Sequence, residues 1–235
     1  MEDTSLSALL AWDVLEWTKP LLKGLGITVI CALLGYMFGA VLGFVVALGK
    51  LSPRIILSVP ATLYTILFRG VPPLLIIFLL FFGTNGLLMW IASGFGYTEY
   101  IEINAFSIGV LAVTLIVAAY SSEVYRGAFL AIPKGQSEAC QTLGLKPLQA
   151  MILVIIPQML RLALPGLGNV WILAIKETTL LSIIAVTELM RVAGMAGRSS
   201  GQPFIFYGIA AAAYLCIVVV SNRFFYSVER RLEHR

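Results

Sequence analysis

Residues 24–49 of the chain read GLGITVICALLGYMFGAVLGFVVALG, and none of these 26 residues carries a charge. A helix rises about 1.5 Å per residue, and the hydrocarbon core of a bilayer is about 30 Å thick, so about 20 apolar residues are enough to cross it. This one stretch is therefore long enough to span a membrane, and it predicts that the chain is embedded in one.

The composition of the 235 residues points the same way. Hydrophobic residues make up 60% of the chain and charged residues 12%, which is about half the charged share of a soluble domain. So apolar a chain is not intrinsically disordered. Three scattered cysteines do not make a disulfide scaffold, and with a single histidine they offer no zinc-ligand pattern. The net charge of +4 comes from short basic clusters between apolar runs, which is not the pattern of a nucleic-acid-binding protein.

Apolar segments of spanning length recur along the chain and predict an all-α integral membrane protein with five transmembrane helices. We expect one transmembrane domain over residues 1–235, with spans at about 24–49, 55–82, 103–125, 147–175 and 202–222. Lys and Arg collect on the cytoplasmic side of membrane proteins. If the amino terminus is outside, nine of the 16 basic residues fall in inside segments and five in outside segments. This bias predicts that the amino terminus is outside and the carboxyl terminus inside.

Small residues recur at every fourth position in the first span, at Gly35, Gly39 and Gly43. This pattern lets a second helix approach closely within lipid. The partner helix could belong to the same chain or to a second subunit, and the pattern reports close approach without identifying which.

The second span is interrupted by the sequence Arg69-Gly70-Val71-Pro72-Pro73. Two consecutive prolines remove two backbone donors, and an arginine at membrane depth must be paired or must face a water-filled cavity. Arg69 could therefore hold a carboxylate beside a translocation path. The alternative, which we favour, is that the span is two short helices and that Arg69 has a structural partner.

Three further residues are candidates for a substrate pathway, namely Arg161 within the fourth span and Glu177 and Thr178 at its end. Each also has a structural explanation, because arginine can extend to the membrane surface and charges at span ends are commonly solvated. The residues from 176 to 201 mix polar and apolar side chains, which predicts short helices packed against the bundle. Glu123, near the end of the third span, is either paired with a basic residue or simply interfacial.

The segment between the third and fourth spans predicts a short helix at about residues 134–145 on the inside face. Pro133 and Gly135 precede it, and Gly144 is suited to end it. Such a helix is either a connector or a docking element for a soluble partner. A rigid helix joined closely to two spans can transmit motion between the partner and the membrane domain.

This segment also resembles a known signature. It carries Glu138-Ala139-Cys140, then Gly144 after three residues, and Val154-Ile155-Ile156-Pro157 after nine more. The spacing is that of the EAA signature of permeases of bacterial ABC importers, with Cys140, Val154 and Ile156 as mild departures in residue type. Other segments resemble the polar amino-acid branch of that family, which includes the histidine, arginine and opine permeases; they are residues 68–72, 157–169, 202–204 and 229–231.

The resemblance implies a permease of a type I ABC importer in the bacterial inner membrane, with a periplasmic amino terminus and a cytoplasmic carboxyl terminus. It implies three kinds of partner: an ABC ATPase dimer, a second permease subunit and a periplasmic amino-acid-binding protein. We expect a heterodimer of permeases, with a homodimer as the alternative, surrounded by membrane lipid. The EAA segment would couple to the ATPase through Pro133, Gly135, Glu138, Ala139, Cys140 and Gly144.

The cargo implied is a polar, basic amino acid or an opine. The chain has no Gly-rich nucleotide-binding loop, so we expect that it is not an enzyme and binds no cofactor, and that ATP is used by the partner subunits. A secondary transporter or a channel that is not coupled to ATP is the alternative. A secondary transporter would be expected to show inverted repeats, and five spans fit that poorly. A membrane enzyme would need a catalytic or metal-ligating cluster, and we predict neither a catalytic nor a metal site.

Overall fold

The computed structural model describes residues 6–96 and 104–233, with side chains described for residues 15–96 and 104–231. It contains nine α-helices in these ranges. They are α1 (Leu6–Leu51), α2 (Ile55–Gly70), α3 (Pro73–Gly94), α4 (Ala105–Ala131), α5 (Lys134–Thr142), α6 (Pro147–Ala150), α7 (Ile156–Glu177), α8 (Leu189–Ser200) and α9 (Pro203–Glu233). A π-helical turn (Met151–Ile155) joins α6 to α7, and a 3₁₀ turn (Thr178–Ser182) follows α7.

Five helical segments of the described chain are long and apolar enough to cross a membrane, as the hydropathy predicts. They are Leu15–Leu51, Pro73–Gly94, Ala105–Ala131, Pro147–Ser182 and Pro203–Arg231. The ends of the chain beyond residues 6 and 233, and residue 103 at the start of the predicted third span, lie outside the described residues.

The predicted second span, residues 55–82, is two helices in the structure. The 16-residue α2 ends at Gly70, and the longer α3 begins at Pro73 and continues to Gly94. Neither Pro72 nor Pro73 can donate a backbone hydrogen bond, so the ladder of α2 ends with the N–H of Val71 bonded to the carbonyl of Leu67. The break therefore has a covalent cause, which is the paired prolines.

A proline also explains the π-helical turn before α7. Pro157 has no N–H for the carbonyl of Leu153, four residues earlier, and the helix widens just ahead of it. There the N–H of Ile156 bonds to the carbonyl of Met151, five residues back.

The centre of the bundle is α4, which packs against α1, α2, α3 and α7. The predicted close approach in the first span falls on this contact. A Cβ built on Gly35 or Gly39 would lie 2.5 Å from a methyl group of Val113 or Val117 respectively, and one on Gly43 would lie 2.7 Å from the Cβ of Ser121. The three glycines thus bring α1 against α4 of the same chain.

The short helices predicted between residues 176 and 201 are confirmed by the 3₁₀ turn and by α8. A second apolar core joins α8 to α1 and α9 through Leu21, Leu189, Val192 and Phe206. Gly24 lets α1 approach closely here, because a Cβ on it would lie 3.1 Å from the backbone of Leu189. The contacts of α4 and this apolar core together bring α1, α3, α4, α7, α8 and α9 into one bundle.

Candidate functional site

The short helix α5 is fixed by turns at both ends. Pro133 precedes it, and at its carboxyl end Gly144 has a φ of +72°, in the left-handed region that favours glycine. There the N–H of Leu145 bonds to the carbonyl of Cys140, and the N–H of Gly144 to that of Gln141, each at 3.0 Å. This is a Schellman arrangement, and it ends the helix at a defined residue.

Almost the whole of α5 is exposed. Glu138 and Ala139 are exposed, Cys140 is the buried residue of the helix, and the following Leu143 is 77% exposed. Glu138 forms no ion pair with any described basic residue. An exposed helix with an unpaired carboxylate and an alanine, followed by a large apolar side chain, is suited to contact a partner, since little of its surface is used inside the chain.

This helix is also joined to the spans on both sides. Only Ile132 and Pro133 separate it from α4, and it packs against α6 and the π-helical turn that leads into α7. The side-chain amide of Gln158 on α7 donates to the side-chain oxygen of Gln136 on α5 at 3.2 Å. A displacement of α5 would therefore act on both α4 and α7.

A cluster of charges lies towards the same end of the bundle. Glu123 on α4 accepts hydrogen bonds from Lys50 on α1 and, at 2.9 Å, from Arg126 one turn further along α4. Lys50 also donates to the hydroxyl of Thr65 on α2 at 2.8 Å. Of the alternatives open for Glu123 from the sequence, the structure supports the paired one. One carboxylate thus links α1, α2 and α4.

Arg69, the penultimate residue of α2, reaches this cluster more loosely. Its guanidinium is 3.7 Å from Glu123 and lies over the ring of Tyr120, with 5.4 Å from its central carbon to the ring centroid. The side chain is 44% exposed. Arg69 therefore has a structural partner, as favoured from the sequence, and still has donors that face solvent.

The other pathway candidates lie apart from this cluster. Arg161 is exposed on α7 and forms no ion pair with a described carboxylate. Glu177 is half-buried, and its Oε2 is buried without a hydrogen-bond partner in the described chain. The buried hydroxyl of Thr178 donates to the carbonyl of Ile175 at 2.7 Å. No described ion pair joins Arg69 or Arg161 to Glu177.

The sequence reasoning missed Glu188, which is completely buried. Its carboxylate caps α8 by accepting from the N–H groups of Met190 and Arg191 at 2.9 and 2.8 Å. It also accepts from the hydroxyls of Thr28 on α1, at 3.3 Å, and Tyr214 on α9, at 2.9 Å. Burial raises the pKa of Glu188 above its usual value, and these hydrogen bonds oppose the shift. An acidic residue just ahead of a helix was the available signal, but it identifies a cap and not its distant partners.

Five segments of the described chain are long and apolar enough to span a membrane, and the exposed α5 at one end of the bundle leaves a surface free for a partner. Among the described residues, no group of three His, Cys, Asp or Glu side chains could hold a metal ion. Residues 39–234 match the family described as "Binding-protein-dependent transport system inner membrane component", and the chain belongs to that family. It is a multi-pass permease of an ABC transporter in the bacterial inner membrane.

Relatives in this family match nearly the whole chain. The nopaline transport system permease protein NocQ of Agrobacterium fabrum is 45% identical over 223 residues, 94% of each chain. The histidine/lysine/arginine/ornithine transport system permease protein HisQ of Escherichia coli is 33% identical over 211 residues, 90% of this chain and 92% of its own. A crystal structure described as an amino acid ABC transporter with histidines matches with a TM-score of 0.79 at 31% identity, covering 93% of this chain and 96% of its own.

Proposed function

We propose that this permease moves a polar, basic amino acid or an opine into the cell by alternating access, driven by a separate ATPase that binds α5. The observation that carries the proposal is the exposed α5 with the spacing of the EAA signature and an unpaired Glu138. The substrate class is supported by the names of its relatives, which transport nopaline, or histidine, lysine, arginine and ornithine.

In this proposal the end of the bundle that carries α5 is cytoplasmic, so the amino terminus is periplasmic and the carboxyl terminus cytoplasmic. The permease pairs with a second, different permease subunit, and a periplasmic binding protein delivers the substrate. Two ATPase subunits bind beneath the pair and use the ATP, since this chain has no nucleotide-binding loop.

The proposed coupling residues fall into three groups: exposed residues, a buried residue and the residues of the flanking turns. Glu138 and Ala139 lie on the exposed surface and contact the ATPase, whereas Cys140 is buried and anchors the helix to the bundle. Pro133 and Gly135 set the start of α5, and Gly144 sets its end. When ATP closes the ATPase dimer, α5 moves as a unit because both of its ends are fixed by turns, and it moves α4 and α7 with it. The substrate and ATP can shift the inward and outward states only through different affinities for the two.

In this proposal the pathway residues contact different groups of the substrate at different points along the path. The exposed donors of Arg69 attract its carboxylate, and the unpartnered oxygen of Glu177 is suited to a cationic group. Thr178 holds the end of α7 through its bond to Ile175 and positions Glu177. Arg161, which is exposed on α7, adds to the positive charge that attracts the carboxylate.

The experiment compares co-purification of the ATPase with wild-type permease, Glu138→Arg and Glu16→Arg, in mild detergent. Each variant reverses the charge of one exposed glutamate, but Glu16 lies near the amino-terminal end of α1, at the end of the bundle away from α5. We expect Glu138→Arg to lose the ATPase and Glu16→Arg to keep it, with all three proteins eluting alike on gel filtration. Equal retention by the two variants would contradict the coupling role of α5. Substrate uptake by the wild type without ATP or an ATPase would favour a secondary transporter or a channel.

A further inference from the structure

An apolar cavity of about 350 Å³ opens between α1, α7 and α9. Its walls include Leu33, Tyr36, Trp171, Val220 and Phe224. The polar atoms of two wall residues are already satisfied: the hydroxyl of Tyr36 donates to the carbonyl of Leu167 at 3.2 Å, and the indole N–H of Trp171 donates to Ser221 at 2.8 Å. What these side chains present to the cavity is therefore hydrocarbon and ring surface.

A second cavity of about 420 Å³ shares a wall residue with the first, and its lining carries polar side chains among apolar ones. Its lining includes Asn169, Asn222, Arg223 and Glu229. Phe225 lines both cavities and forms the boundary between them. Its ring lies close against α7 at Gly168, where a Cβ would be only 3.2 Å from the ring. The two cavities thus form one groove, with an apolar half and a half that carries polar and charged side chains, which we call the polar half.

The polar end of this groove is cationic. Arg230 and Arg231 line a third opening of about 400 Å³, one helical turn beyond the polar half, and Arg230 lies over the ring of Tyr226. None of Arg223, Arg230 and Arg231 forms an ion pair with a described carboxylate. Among the described residues that line these openings, Glu229 is the only acidic one, so it and the three arginines together carry a net charge of +2.

The groove lies at the depth where the chain leaves the membrane. α9 begins at Pro203, and about 20 helical residues cross about 30 Å, so the hydrocarbon ends near Arg223. Along the groove, apolar walls therefore face the hydrocarbon, and asparagine and arginine donors lie at the level of the headgroups. This order of polarity is that of a phospholipid.

We propose that the groove between α1, α7 and α9 binds one anionic phospholipid of the leaflet on the α5 side, with an acyl chain against Trp171 and the phosphate beside Arg223 and Arg230. A second copy of this chain related by twofold symmetry is a poorer occupant, because it would place the same arginines against each other. Bound lipid would hold α9 against α1 and α7.

Trp171 provides the reporter, because it lines the apolar half and the chain has only three other tryptophans. The full-length permease with Trp12, Trp17 and Trp90 replaced by Phe is reconstituted with brominated phosphatidylglycerol or brominated phosphatidylcholine, and quenching is measured. The signal of the same protein with Trp171→Phe is subtracted. We expect phosphatidylglycerol to quench at a several-fold lower mole fraction, because it is anionic.

Charge variants then test the phosphate site. Each arginine near the surface contributes about a fivefold preference for anionic lipid. We therefore expect Arg223→Gln with Arg230→Gln, which leaves no net positive charge in the groove, to abolish the several-fold preference for phosphatidylglycerol. Arg223→Lys with Arg230→Lys keeps the charge and should retain it, as should Arg198→Gln, which removes an exposed charge from α8. Leu33→Phe narrows the apolar half and should weaken quenching by both lipids.

Two outcomes would overturn the proposal. Equal quenching of the wild type by the two lipids, or a preference unchanged in the double glutamine variant, would mean unselective lipid contact. Quenching by neither lipid, together with chemical cross-linking from Val220→Cys to the second permease subunit in the assembled transporter, would mean that this subunit covers the groove.

Discussion

Replacing Gly39 by alanine tests the contact between α1 and α4 directly. The added Cβ would lie 2.5 Å from a methyl carbon of Val117, 2.7 Å from its Cβ and 2.9 Å from the carbonyl oxygen of Thr114. Carbon atoms in contact are about 3.5–4.0 Å apart, so the helices must separate locally by about 1 Å. Such overpacking costs about 1–3 kcal/mol.

Gly26→Ala is the matched control, because it is on the same helix and its Cβ would have no atom within 4 Å. Both substitutions gain about 1 kcal/mol of helix propensity, so the difference between the two variants isolates the packing cost. At roughly 2–4 °C per kcal/mol for a chain of this size, a cost of about 2 kcal/mol lowers the Tm of Gly39→Ala by roughly 4–8 °C relative to Gly26→Ala.

The assay is thermal unfolding of the purified permease variants in one detergent, followed by intrinsic fluorescence. If Gly39→Ala is as stable as Gly26→Ala, then α1 does not pack on α4 through this glycine row and the reasoning is wrong. Loss of association with the second subunit at an unchanged Tm would instead assign the row to contact between subunits.

Three further variants test other contacts. Gly166→Ala places a Cβ 2.6 Å from a methyl of Val124, so we expect a Tm several degrees below that of wild type. Adding Val124→Ala should restore the Tm, because the Cβ of Val124 itself is at an ordinary distance of 3.5 Å. Glu188→Ala should lower stability by about 2–4 kcal/mol, because a helix cap and two hydroxyl partners are lost; an unchanged urea midpoint would refute this. Glu123→Gln should cost about 1–3 kcal/mol by leaving Lys50 without its anion, and adding Lys50→Met should recover much of the loss in the same assay.

The stability of wild type should also depend on pH through Glu188. The pKa of this carboxyl is raised in the fold, so the folded state binds its proton more tightly than the unfolded state does. The stabilisation of the fold that this tighter proton binding provides is fully present below the pKa of Glu188 in the unfolded state. It is lost as the pH rises through the pKa of Glu188 in the folded state. We expect the Tm to fall over that window in wild type and to stay flatter in Glu188→Gln; parallel profiles would contradict the assignment.

Local sequence patterns predicted the features that local chemistry controls. Hydropathy predicts five spanning helices because burial in lipid requires long apolar runs, and the paired prolines at 72 and 73 explain why a helix ends there. The φ of Gly144 was likewise suggested by its position after α5.

Features that depend on distant parts of the chain were not predictable in this way. Glu188 meets Thr28, 160 residues earlier, and Lys50 meets Glu123, 73 residues later. No periodicity along one helix encodes which residues of another helix will lie opposite. The glycine row in α1 is an example: its spacing predicts that another helix packs closely against it, but only the tertiary structure identifies that helix as α4.

The isolation of α5 from the core has an evolutionary consequence. Its shape is set by flanking turns at Pro133 and Gly144, and among its nine residues only Cys140 is buried. Mutations on its outer face therefore carry little folding cost, while mutations in α4 or α7 carry much. In the proposed coupling role of α5, a few surface substitutions could therefore change which ATPase the permease binds without altering the residues that recognise its substrate, so the two specificities can change independently.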